Sequence, residues 1–174
     1  MKNILTIVLF IGLVACQNAT TDESYSATVN KISESEIKTA NLKEETTNQI
    51  LMGYFKIKDA LIHTDAKSAA YAADELLFNF GEYKDELIQK LFHEVQLIAK
   101  SEDVDQQRIY FEGLSHNIYT LAKNTETEME LYQQYCPMAF ENQGAYWISD
   151  EEKVYNPYFG DKMLRCGKTT EVIN

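Results

Sequence analysis

Ile50-Leu-Met-Gly-Tyr-Phe-Lys-Ile-Lys-Asp-Ala-Leu61 puts apolar residues at positions 50, 54, 57 and 61, with Leu51 and Phe55 widening the stripe. That is the spacing of one face of an α-helix. Three further amphipathic periods follow. Asp65 is placed to N-cap the second, whose face is Ala66, Ala69, Ala70, Ala73, Leu76, Leu77 and Phe80, with Gly81 as its expected stop. The third carries Leu87, Ile88, Leu91, Val95 and Ile98. In the fourth, Asp103 and Gln106 have capping-box spacing ahead of Val104, Phe111, Leu114, Ile118 and Leu121, with Gln107 in the one slot that is not apolar. The links between the periods are short, which makes neighbouring helices antiparallel. The expected fold is mainly α: an up-down-up-down four-helix bundle.

Upstream, Lys2 and the apolar run Ile4 to Val14 have the form of a secretory leader, too short for a membrane span of ~20 residues. Leu13-Val14-Ala15-Cys16 resembles a bacterial lipobox, which implies a signal peptide over 1–15 and a lipid on Cys16. Gln17 in place of Asp then favours the outer membrane, with the domain facing the periplasm or the exterior. Residues 16–45 are rich in Ser, Thr, Asn, Glu and Lys and bury too little to order themselves, so a flexible tether is expected. The remaining 46–174 make one domain. The chain of 174 residues has 27 acidic against 16 basic side chains, a net charge of −11. Such a surface repels phosphate backbones and argues against nucleic-acid binding.

After about Thr127 the helical period stops. The segment 135–167 holds both prolines of the chain, Pro137 and Pro157, and both cysteines beyond Cys16, Cys136 and Cys166. It reads as an irregular Cys/Met-containing tail packed on the bundle, with short strands at Leu131–Phe140 and Ala145–Ile148. If Cys136 to Met138 is extended, Cys136 and Met138 point to the same side. Asp161 could cap a single helical turn that puts Met163 and Cys166 on one face. Cys136, Met138, Met163 and Cys166 thus form two sulfur pairs, and thiolate with thioether ligands selects soft ions, above all Cu(I). The alternative is a disulfide between Cys136 and Cys166, stabilising by ~3 to 4 kcal/mol in the loop-entropy picture. No Glu-x-x-His pair supports a di-iron site, and His63, His93 and His116 are expected on the surface. No catalytic triad, carboxylate pair or Cys-x-x-Cys motif is visible, so a binding protein rather than an enzyme is expected. Tyr146, Trp147, Tyr155, Tyr158 and Phe159 are expected to cover the bundle, and Lys162 and Arg165 to be solvated or paired with acids.

Cys136-Pro-Met-Ala-Phe, Gly144-Ala-Tyr-Trp-Ile-Ser and Asn156-Pro-Tyr-Phe-Gly-Asp-Lys-Met-Leu-Arg-Cys-Gly resemble the C-terminal signature of an uncharacterised bacterial envelope domain family. Tyr54-x-x-x-Lys-Asp-Ala-Leu-x-x-x-Asp65 and Gln107-Arg108-x-x-Phe111-x-x-Leu114-Ser115 are similar to its helical part. The family occurs as lipoproteins and fused to periplasmic adaptors of heavy-metal efflux pumps. The resemblance implies a place in copper or heavy-metal handling, with an efflux adaptor or copper protein as partner. The other reading is a disulfide-clamped helical module that docks on such a protein without metal.

Overall fold

The computed structural model describes residues 44–81 and 85–173. The expected leader 1–15, the lipidation residue Cys16 and nearly all of the tether 16–45 lie outside the described residues. The molecule is mainly helical, with a small antiparallel sheet. Helices α1 (Glu44–Ile62), α2 (Ala66–Leu77), α3 (Glu86–Lys100) and α4 (Val104–Asn124) each pack on the next, and α4 also touches α1 and α2, in a bundle-like core. The periodic residues behave as their spacing predicts. Ile50, Tyr54, Ile57, Leu61, Leu76, Leu91, Ile98, Phe111, Leu114 and Ile118 are all buried.

The helix starts follow from local chemistry. Asp65 accepts the Ser68 N–H at 3.0 Å, and Asp103 accepts those of Asp105 and Gln106. Asp85 does the same for Leu87 and Ile88. Each carboxylate satisfies amides that the first turn leaves without helical partners. The end of α2 differs from expectation. It stops at Leu77, short of Gly81, because its last turn tightens: Phe78 N–H bonds Glu75 O and Asn79 N–H bonds Leu76 O. Gln107 is fully buried in its polar slot. Its Nε2 donates to Ala66 O and Ser101 O, both at 2.8 Å, and so ties the start of α2 to the corner between α3 and α4.

The tail is more regular than its sequence suggests. Strands β1 (Leu131–Cys136), β2 (Ala145–Ser149) and β3 (Lys168–Ile173) form one antiparallel sheet in the order β2-β1-β3. The first two correspond to the expected strands, and β3 was not anticipated. The expected helical turn at Met163–Cys166 is also displaced. A 3-10 turn covers Gly160–Lys162, with Asp161 inside it rather than capping it, and Met163 closes it. Gly160 sets this register: at φ +53° it sits against Thr64 Oγ1 and the backbone of Ile62, where any side chain would collide.

Buried polar groups fix this sheet and its loops to the helices. The fully buried Tyr54 hydroxyl lies 2.8 Å from Ser115 Oγ and accepts the Ile148 N–H of β2. Lys58, almost fully buried, reaches Asp150 at 3.0 Å. Arg108 on α4 donates from Nε to Pro157 O at 2.9 Å and from its other nitrogens to Asp105, Leu61 O and Thr64. Buried charge on this scale is tolerated only when hydrogen-bonded and paired.

Candidate functional site: a pair of thiols

Cys136 ends the central strand, and Cys166 lies just before β3. The β1–β3 register pairs Tyr135 with Lys168, which carries the two cysteines toward each other. Their sulfurs lie 2.7 Å apart although the residues are thirty positions apart. That is closer than two unbonded sulfurs ordinarily approach and longer than a disulfide; Cys136 is completely buried and Cys166 partly so.

Three residues hold Cys166 in place. Buried Asn156 donates through Nδ2 to Cys166 O at 2.8 Å and through its backbone to Leu164 O at 2.9 Å. Its Oδ1 accepts the amides of Tyr158 and Phe159, so one side chain shapes the whole loop. The Cys166 N–H bonds Met163 O at 3.0 Å. Gly167 follows at φ +143°, and a Cβ there would stand 2.9 Å from both the Trp147 ring and Tyr135 O. The chain can therefore pass this point only as glycine.

Burial pushes the Cys166 thiol up to about 11, and the neighbouring Cys136 thiol adds to the shift; the backbone of Met138 opposes it. Cys166 is thus protonated at neutral pH and must release its proton to act as a thiolate ligand. Aromatic rings close the region off. Tyr158, buried, packs against Phe111, Phe140 and Trp147, and burial raises the hydroxyls of both Tyr158 and Tyr54. The Trp147 Nε1 has no acceptor among the described residues.

The four sulfur residues are placed unequally. β1 ends at Cys136, and Met138 takes a helical backbone conformation, so the extended alternation expected for Cys136 and Met138 does not occur. Met138 is 45% exposed, whereas Met163 is half-buried at the end of the 3-10 turn. Among the described residues no group of three or more His, Cys, Asp or Glu side chains could hold a metal ion. Any ion here would rest on the cysteines and thioethers. His63, His93 and His116 are on the surface, as expected. Trp147 and Tyr158 cover the helices as expected, but Tyr146 is 49% exposed. Lys162 is exposed, and Arg165 stacks on Tyr155 at 4.0 Å.

Sequence reasoning did not single out Lys58, Arg108 or Asn156 as buried ties. A signal existed. Lys58 and Arg108 stand inside the two helical motifs, four residues after Tyr54 and next to Gln107, where amphipathic spacing alone does not ask for a basic residue.

Residues 50–130 match the model of a family described as a protein of unknown function, DUF3347. The DUF3347 match runs from within α1 to the residue before β1, so it covers the helices and stops short of both cysteines. The helical part of the chain is thus similar to a family of unknown function, over fewer than half of the 174 residues and without the C-terminal signature. No curated protein and no solved structure matches the chain. No helix among the described residues is long and apolar enough to cross a membrane.

Proposed function

We propose that this protein binds a soft metal ion, Cu(I) foremost, between Cys136 and Cys166, and takes part in copper or heavy-metal handling or efflux. The reading rests on one observation: two cysteines distant in sequence meet with their sulfurs 2.7 Å apart, one buried and one reachable. Two thiolates suffice for a soft ion, and the thioethers of Met138 and Met163 are available as weaker additional ligands. With bonds of ~2.3 Å, as for zinc thiolates, a linear site sets its sulfurs ~4.6 Å apart. Loading therefore requires the two side chains to part by roughly 2 Å. On this reading the four helices are an up-down-up-down bundle that serves as a rigid frame, and the protein binds rather than catalyses. The leader pattern ending at Cys16 supports a lipid anchor in the cell envelope, with an efflux adaptor or a copper protein as partner.

A second reading draws on the same distance. A disulfide needs ~2.05 Å between sulfurs, closer to the observed separation than a metal site is. The domain would then be a clamped interaction module without metal. Against a purely structural clamp, Tyr54, Lys58 and Arg108 already hold the tail to the helices.

Anaerobic titration of the reduced protein with Cu(I), against a chelator of known affinity, separates the two. One-to-one competition that is lost in Cys136→Ser and weakened in Met163→Leu supports the metal reading. An inability of the reduced wild type to compete, together with a Cys136–Cys166 bond in protein isolated from cells, supports the clamp.

A further inference from the structure

We propose that the end of the domain where the chain enters α1 is a docking face for a zwitterionic lipid surface, with Phe78 at its centre. The inference goes beyond the metal reading and rests only on the lipid at Cys16 proposed above. Phe78 caps α2 and is 85% exposed, the largest value among the exposed large hydrophobic side chains of the described residues. Met52 of α1 is 59% exposed and lines a groove with Leu76 and Asn79, the neighbour of Phe78. Two residues beyond Phe78, Phe80 meets the exposed Phe92 of α3 edge to face at 5.8 Å. A single apolar side chain in solvent is ordinary, but a run of them across three helices marks a surface that something covers.

The place of this face in the fold names the occupant. Helices α1 and α2 are antiparallel: Lys56 pairs with Glu75 at 3.3 Å, Gly53 lies against Leu76, and Gln49 and Met52 share their groove with Asn79. Phe78 thus stands level with the first half of α1, which begins at Glu44. An anchor at Cys16 joins the domain at this end. The loop of Pro157 and Gly160 is tied to the opposite end of α1, through Arg108, Leu61 and Thr64. Docking by the Phe78 end therefore turns the loop whose Asn156 holds Cys166 away from the lipid. Aromatic and thioether side chains gain by entering the boundary between headgroups and acyl chains. Charge selects the headgroup. The chain carries a net −11, which anionic lipid repels. Next to the face, the pairs Lys56–Glu75 and Lys90–Glu86 neutralise one another. A tethered domain needs only weak affinity to dock, because its anchor keeps the local lipid concentration high.

The test uses the chain from Gln17 onward, secreted without the lipid and mixed with vesicles of phosphatidylcholine, alone or with phosphatidylglycerol. Bound protein is read by flotation. Phe78→Ser should lower the partition coefficient into phosphatidylcholine roughly tenfold, and Met52→Ser should lower it less. Ile109→Ser, which removes an exposed apolar side chain beside Arg108 at the far end, should leave it unchanged. No flotation of the wild type, equal flotation of Phe78→Ser, or tighter binding to phosphatidylglycerol overturns the proposal. A dimer in sedimentation that Phe78→Ser abolishes, without flotation, gives the face to a second copy and overturns it as well. Mass spectrometry of protein from cells reports on the anchor separately. Cys16 without acyl chains overturns the anchor and this role with it, whereas a lipidated Cys16 with no flotation removes the docking face alone.

Discussion

The helices and the sheet of this molecule are held by different physics. Between the helices cohesion is apolar and repetitive: Ile57, Leu61, Leu91, Ile98 and Leu114 bury side chains that any similar hydrophobe could partly replace. Between helices and tail the apolar core continues through Trp147, Ile148 and Tyr158, and polar, singular ties are added to it. Arg108, Lys58 and Tyr54 reach Pro157, Asp150 and Ile148 with bonds that few other residue types reproduce, and Asn156 does the same within the tail. The first kind of cohesion tolerates variation and gives general stability. The second fixes one geometry, which a site built from two chain segments requires.

The sharpest way to probe this contrast is Leu114→Ala. Truncating a fully buried leucine should cost ~2 to 5 kcal/mol, with helix and sheet lost together in one chemical denaturation curve. Asn156→Ala should cost less, about 2 kcal/mol, and act locally, since it leaves the Cys166 carbonyl and the Tyr158 and Phe159 amides unpartnered. Hydrogen exchange should then accelerate in β1 and β3 with little change in α3. Equal acceleration in both would mean that sheet and helices form one cooperative unit, and the contrast would fail.

The smallest effect is expected from pH. Lys123, with Tyr119, holds the Glu171 carboxyl below its ordinary value and so links α4 to β3. A carboxyl lowered in the folded state adds stability that is present above its unfolded value and is lost as pH falls through the folded one. Thermal melts of wild type from neutral pH into the acid range should therefore steepen slightly in their decline relative to Glu171→Gln. Identical slopes would show that this pair, largely in solvent, contributes nothing.

The contrast also explains what the sequence could tell. The helices were legible because a 3.6-residue period repeats in every segment, and because Asp65 and Asp103 stand where a first turn needs an acceptor. Gly81 misled: a glycine permits a helix stop without enforcing one, and tightened bonds at Phe78 ended α2 earlier. β1 and β2 were visible from Pro137 and the apolar Ala145–Ile148 run. β3 was not, since Lys168-Thr-Thr-Glu-Val-Ile173 alternates exposed with half-buried positions and carries little apolar signal. At the site, the clustering of Cys136, Met138, Met163 and Cys166 was visible, and the meeting of the cysteines is what the fold adds. The unequal exposure of Met138 and Met163 came from where β1 ends and the 3-10 turn closes, which no local pattern encodes. Arg108 was illegible for a related reason: its acceptors at Leu61 and Pro157 come from distant segments.

Trp147 is the chain's single tryptophan, and it lies fully buried in β2 with its ring tip against Gly167, the residue that follows Cys166. The helices contain no indole of their own. Emission excited beyond the tyrosine band therefore reports on the packing around Trp147, where β2 meets the turn that carries Cys166. A movement of Cys166 that displaces Gly167 should change that one signal.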